Sequence, residues 1–170
     1  IAGSSEWEFV TGGYGFTEGP AVDQSGDVYF VDARGSTIHK IEHGTKKVTL
    51  FAKETGGVSG LMFGADGRLY ACANRAPSKL IAYTMDGKAA TLAEGMESCN
   101  DLAVSRDLNI YFTDPRGKKV WFVSNKGEKK PVVTEGVSFP NGVRFSPDHG
   151  LVVVADSDSK WVWSYQAMAD

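Results

Sequence analysis

The chain has 170 residues, 42% of them hydrophobic, and a formal charge of −3, which suits one soluble domain able to bury roughly two-thirds of its unfolded surface. The mild acidity, without basic blocks, excludes a nucleic-acid or anionic-membrane footprint. No apolar run approaches the ~20 residues that span a bilayer, so neither nucleic acid nor membrane is an expected partner. Two cysteines outside any CxxC pair cannot make a disulfide framework, and Cys72 and Cys99 read as free buried thiols. The 20 glycines and 6 prolines are spread evenly, a pattern of many short strands. The sequence starts at Ile1 with neither Met nor an apolar leader. Its compartment therefore stays open: cytoplasmic, or periplasmic or secreted after loss of a signal peptide.

In chain order, an isolated apolar stretch, Trp7-Glu8-Phe9-Val10, comes first. TEGPAVDQSGDVYFVD follows, then STIHKIE and KKVTLFA. The same sequence of parts returns as VSGLMFGADGRLYACA, SKLIAYT and KAATLAE, and again as SCNDLAVSRDLNIYFTD, KKVWFVS and KKPVVTE. A fourth round opens with FPNGVRFSPDHGLVVVAD. Tyr29, Tyr70 and Tyr111 are spaced by 41 residues. β-branched and aromatic residues in near alternation mark half-buried strands, and Gly44, Gly87 and Gly127 lie in the connections, where φ > 0 is needed. A four-stranded antiparallel meander repeated every ~40 residues is the sequence form of a β-propeller. The alternative is a plain sandwich, which rarely repeats itself at fixed spacing. The expected fold is all-β, a single partial propeller domain over 1–170 with units of about 17–57, 58–98, 99–139 and 140–170. Residues 1–16 then hold a candidate ring-closing strand, and Trp7, Trp121, Trp161 and Trp163 are expected to pack between blades.

In a propeller, equivalent positions of successive blades ring the central channel. The residue eleven before each aligned tyrosine is Glu18, Ser59 or Asn100, and one more period reaches Asn141. A carboxylate and two amides in register supply hard oxygen donors, suited to Ca²⁺, Mg²⁺ or Mn²⁺. Taken singly, the asparagines could instead close Asx turns. The loops after the second strands reach the same mouth, and Arg34, Arg75 and Arg116 there suit hydroxylated or anionic ligands or remain solvated. Asp32, Asp114 and Asp156 recur at strand ends and read as turn caps. His39, His43 and His149 lack ligand spacing and read as structural, and no GxSxG elbow supports a serine hydrolase.

TEGPAVDQSGDVYFVD, CNDLAVSRDLNIYFTDP and FPNGVRFSPDHGLVVVAD resemble the signature segments of the gluconolactonase/regucalcin/luciferin-regenerating-enzyme (SGL) family, over about Phe16 to Trp163. The resemblance implies a six-bladed propeller that opens sugar lactones or related cyclic esters with one divalent cation. That cation is usually calcium, with Mg²⁺, Mn²⁺ or Zn²⁺ as alternatives. It implies Glu18 and Asn141 as metal ligands, Asn100 as ligand or holder of water and substrate, and Asp101 as a substrate contact, with Arg116 beside them. The family's aspartate, ligand and general base, belongs to a later blade than any present here, which leaves Asp101 as the nearest carboxylate able to take a proton. Four units are too few to close a ring, so a weakly active chain and self-association of its open edges are expected. Two further readings are a non-catalytic calcium- or ligand-binding propeller and a metal-free interaction scaffold, which the Glu18/Asn100/Asn141 register disfavours.

Overall fold

The computed structural model describes residues 7–167. They form fifteen strands and no helix, so no helix is long and apolar enough to cross a membrane. The strands fall into four antiparallel sheets, each paired in sequence order. Blade 1 holds β1 (Thr17–Val22), β2 (Val28–Asp32), β3 (Thr37–Ile41) and β4 (Val48–Lys53). Blade 2 holds β5 (Val58–Phe63), β6 (Leu69–Ala73), β7 (Lys79–Tyr83) and β8 (Ala89–Glu94). Blade 3 holds β9 (Leu102–Val104), β10 (Ile110–Asp114), β11 (Lys119–Val123) and β12 (Lys129–Val133). Blade 4 holds β13 (Pro140–Phe145), β14 (Leu151–Asp156) and β15 (Trp161–Gln166). This is four consecutive blades of a β-propeller.

The repeat folds the same way each time. The turn between the first two strands closes through Gly26 N–H to Asp23 O, Gly67 to Gly64, Leu108 to Ser105 and His149 to Ser146. The second strands, β6 and β10, are buried along their whole length. Each is flanked by two strands and sandwiched between neighbouring blades, so a continuous apolar run replaces simple alternation.

Three buried clusters fill the three blade-to-blade boundaries. The aligned tyrosines anchor them. Tyr29 meets Phe63 of blade 2 edge-to-face at 5.1 Å, and Tyr111 meets Phe145 of blade 4 at 5.6 Å, pairings that add stabilisation beyond area alone. Trp121 and Trp163 pack against these clusters. Trp161 and Trp7 do not, being 64% and 92% exposed. Trp161 stands on β15, an edge strand with no further strand beside it, and stacks only on Trp163. Trp7-Glu8-Phe9-Val10 forms no strand. Lys46 pairs with Glu8 there, and residues 1–6 lie outside the described residues.

Cys72 and Cys99 are not free thiols: they form a disulfide with Cα atoms 4.8 Å apart. A separation of 27 residues carries no pairing signal. The pairing arises because β6 of blade 2 packs on the chain entering β9 of blade 3, a contact that only the folded ring creates. Both residues are fully buried. Closing a loop of this length stabilises by about 3–4 kcal/mol in the chain-entropy account. Replacing both cysteines by alanine should therefore lower the midpoint of urea unfolding by a margin that reductant reproduces in the native protein. Equal midpoints with and without reductant would contradict the cross-link.

Candidate functional site

The inner strands carry a bulge where the ring of candidate ligands falls. Pairing shifts register between Glu18 and Ala21, between Val58 and Gly60 and between Pro140 and Val143. A bulge re-aims the side chains beside it, and Glu18, Ser59 and Asn141 all sit in or at one. These bulges have no signature in the sequence beyond the glycines next to them. A Cβ on Gly19 would lie 2.2 Å from the Ser59 carbonyl oxygen, and one on Gly60 would lie 2.7 Å from that of Asn100. Successive inner strands thus touch backbone to backbone, and only glycine fits.

Asp101 stands in that glycine row, one period beyond Gly60, with Gly142 next. Its side chain crosses to blade 4. Oδ2 accepts from Val143 N–H at 3.0 Å and from Arg144 Nη1 at 2.8 Å, while the same Arg144 nitrogen also donates to the Leu102 and Val143 carbonyls. Arg144 is a site residue that sequence reasoning missed. Its signal was available, because the equivalent positions of the other blades are Ala21, Met62 and Ala103.

Glu18 is half-buried on β1. Burial, and then the charge of Asp101, raise its carboxyl above the ordinary value, against the pull of the Gly19 N–H. Of these two carboxylates, Asp101 is paired with Arg144, whereas Glu18 forms no ion pair among the described residues. Asn100 precedes β9 and donates its N–H to Thr113 O at 3.0 Å, while its own carbonyl accepts from Ser59 Oγ at 2.7 Å. Asn141 donates Nδ2–H to Ser157 Oγ at 3.2 Å, and its carbonyl accepts from Thr113 Oγ1 at 2.6 Å. Backbone bonds therefore hold both amide residues, and their side-chain oxygens take no hydrogen bond among the described residues.

These residues do not all line one hollow. Asn100 and Arg116 share a cleft of about 690 Å³ with Arg34, Arg75, Phe16 and Phe139. Glu18 lines a neighbouring hollow of about 320 Å³ on the open flank of blade 1, with Pro20 and Phe30. Asp101 and Asn141 line neither of the two. Among the described residues, no three His, Cys, Asp or Glu side chains cluster as a metal site. A cation here would rest on Glu18 and amide oxygens, a hard set that fits calcium-type ions.

Loops after the second strands are held by buried aspartates. Asp32 accepts from the backbone N–H groups of Gly15, Phe16 and Gly35. Asp114 accepts from Glu97, Ser98 and Gly117 N–H and from Trp121 Nε1. The carboxylate folds so closely over Gly117 that a Cβ there would lie 2.4 Å from Oδ2. Blade 2 has Ala73 at this place and turns through a cis Ala76–Pro77 bond. His39 lies in β3, stacked on Phe30 and bonded to Thr37 Oγ1 at 2.8 Å.

Residues 16–170 match the family model described as the SMP-30/Gluconolactonase/LRE-like region. The chain belongs to this family. No curated protein matches it in sequence. Among solved structures, a gluconolactonase from Xanthomonas campestris is similar at 23% identity and a TM-score of 0.82, over 92% of this chain and 60% of its own. Another protein designated a gluconolactonase is 21% identical with a TM-score of 0.83, over 94% of this chain and 62% of its own. Virginiamycin B lyase from Staphylococcus aureus shares the fold at 13% identity and a TM-score of 0.67, covering 88% of this chain and 55% of its own. The chain thus spans about three-fifths of the two gluconolactonase structures. At these identities the likeness is one of fold.

Asp156 offers a pH test of the loop caps. Burial pushes its carboxyl up, but the Ser138 and Phe139 N–H groups and Ser159 pull it further down, to about 2 against an ordinary 3.8. A depressed carboxyl stabilises the fold fully above its unfolded value and loses that contribution as pH falls through its folded one. Wild type should exceed Asp156→Asn in stability by a constant margin above about pH 5, and that margin should shrink toward pH 2. Urea unfolding of both proteins across this range measures it, and a margin independent of pH would contradict the cap.

Proposed function

We propose that the protein opens sugar lactones or related cyclic esters by hydrolysis, with one divalent cation, calcium first among them, at the channel mouth. Family membership over residues 16–170 supports the reaction class. The single observation that carries the site is the inner-strand ring, where bulges turn Glu18 and Asn141 out of the ladder while Asn100 and Asp101 occupy the matching place in blade 3. Glu18, Asn100 and Asn141 would hold the cation. Bound there, it would polarise a carbonyl oxygen and ease deprotonation of water.

The chain's own groups do the rest. Asn100 reaches into the larger cleft, where its amide can orient a lactone through hydrogen bonds. Asp101 Oδ2 is fixed by Val143 and Arg144, whereas Oδ1 takes no hydrogen bond among the described residues. In this reading Oδ1 faces substrate, and the fixed Oδ2 keeps the carboxylate from rotating. Phe16 and Phe139 supply apolar walls against which a sugar ring can pack.

A non-catalytic calcium- or ligand-binding role is the second reading. It is favoured by the commitment of Asp101 to Arg144, which leaves one oxygen for any proton transfer.

Calcium titration followed by thermal melting tests the site apart from turnover. Calcium should raise the melting temperature of wild type, and Glu18→Gln should abolish that rise while leaving the calcium-free melting temperature within a few degrees. The same shift in both proteins would overturn the assignment. Hydrolysis of glucono-δ-lactone, followed by acid release with and without calcium, then separates the two readings: calcium-dependent release supports the enzyme, and calcium binding without release supports the binding module.

A further inference from the structure

The three loop arginines recur at intervals of 41 residues, as Arg34, Arg75 and Arg116, and all three line the 690 Å³ cleft. The structure shows how they are held. Arg75 Nη2 donates to the carbonyls of Ala33 and Arg34, at 3.1 and 2.9 Å. Arg116 Nη2 donates to the carbonyl of Asn74 at 2.6 Å and to its Oδ1 at 3.1 Å. The guanidinium groups of Arg75 and Arg116 are thus each pinned by one nitrogen to the loop of the preceding blade, in a ladder that steps around the mouth from the unpinned Arg34. Nε and Nη1 of Arg75 and Arg116 make no hydrogen bond among the described residues. No carboxylate pairs with any of the three arginines among the described residues, although other basic side chains, Arg68 and Arg144 among them, do form ion pairs. Among the described residues, no Asp or Glu lines the cleft.

Three uncompensated guanidinium groups around one concave space focus a positive potential there. Pinning removes much of the rotamer freedom that a long side chain otherwise loses on binding. The free edge of each group is a planar fork matched to a carboxylate or phosphate. The cleft also reaches the proposed reaction centre, since Asn100 lines it. The ladder ends at blade 4, where the position in register with Arg116, two residues after the capping aspartate, is the exposed Asp158.

We infer that this arginine ladder is an anion-recognition subsite, and that the substrates of this site are lactones carrying a carboxylate or phosphate away from the ring ester. The inference rests on the lactone-hydrolase reading for the ester but not for the anion. The guanidinium fork accepts either anion, and the choice between them is made by experiment.

The test uses the full chain and reads binding and turnover separately. Calorimetric titration with inorganic phosphate, with malonate as the dicarboxylate and with sorbitol as the neutral control measures the subsite alone. Phosphate or malonate should bind and sorbitol should not, with affinity falling as salt rises. Arg34→Gln and Arg75→Gln should each weaken the anion by about tenfold, the loss of one charge-assisted contact. Arg34 donates to no neighbouring loop among the described residues, so its replacement leaves the ladder's cross-blade bonds in place, and thermal melting of each variant confirms folding. In turnover, kcat/KM for 6-phosphoglucono-δ-lactone or glucaro-1,4-lactone should exceed that for glucono-δ-lactone, and the arginine variants should reduce that ratio. Which anionic lactone gains more identifies the anion. Equal binding of sorbitol and the anions, or arginine variants that bind both anions as wild type does, would overturn the subsite. Arginine-dependent anion binding without turnover of any lactone would instead overturn the hydrolase reading and leave the subsite standing.

Discussion

The backbone-to-backbone contact of successive inner strands governs the molecule. Gly19 lies on Ser59 and Gly60 on Asn100, so close that no side chain could stand between them. That approach sets the spacing of blades, and with it the spacing of Glu18, Ser59, Asn100 and Asn141, which recur at equivalent places of successive inner strands. A larger residue in the row would push neighbouring blades apart and spread the ring of oxygen donors. The row is broken once, by Asp101, whose carboxylate reaches across to blade 4 and meets the Val143 N–H and Arg144. An ionic contact across the blade boundary thus occupies the place where its neighbours have glycine, and it brings a charged group to the mouth.

A second contact recurs at each boundary with changed chemistry. Val31 of β2 and Val58 of β5 are fully buried in the cluster between blades 1 and 2. One period on, the same two places hold Cys72 and Cys99, and the contact is a disulfide. One period further they hold Thr113 and Pro140, and Thr113 Oγ1 donates to the carbonyl of the following residue, Asn141. The geometry is constant while apolar contact, covalent bond and hydrogen bond alternate. The latter two fasten the chain immediately next to Asn100 and at Asn141, which is where a binding site needs residues held still.

The repeat made most of the architecture legible. Tyr29, Tyr70 and Tyr111 carry the period and do sit at blade boundaries, and Asp32, Asp114 and Asp156 do cap their loops. Contacts that depend on the blades being side by side were beyond the pattern. Cys72 and Cys99 are unrelated by the period, so only their meeting across a boundary reveals the bond. Trp161 and Trp163 share one face of β15 and stack on each other, yet Trp161, at the start of the strand, lies beyond the buried cluster that Trp163 packs against. The candidate site was legible as a list of positions. The register shifts that aim them, the Arg144 contact and the pinning of the loop arginines required coordinates.

The mouth is electrically polarised. Glu18 and Asp101 place negative charge at the inner strands, enough for Asp101 to raise the Glu18 carboxyl. Arg34, Arg75 and Arg116 place positive charge in the loops around the adjoining cleft. Among the described carboxylates Arg144 engages only Asp101, so the charge of Glu18 has no ion-pair partner among the described residues. A neutral ligand would feel little of this separation, whereas a molecule with an anionic end would be turned by it. Its charged end would go to the arginines. Orientation of that kind costs little in reorganisation, since Arg75 and Arg116 are already held by the loops they bridge. The loops thus present the arginines to the cleft over the buried capping carboxylates of Asp32 and Asp114, while among the inner strands Arg144 offsets Asp101 and leaves Glu18 without an ion pair among the described residues.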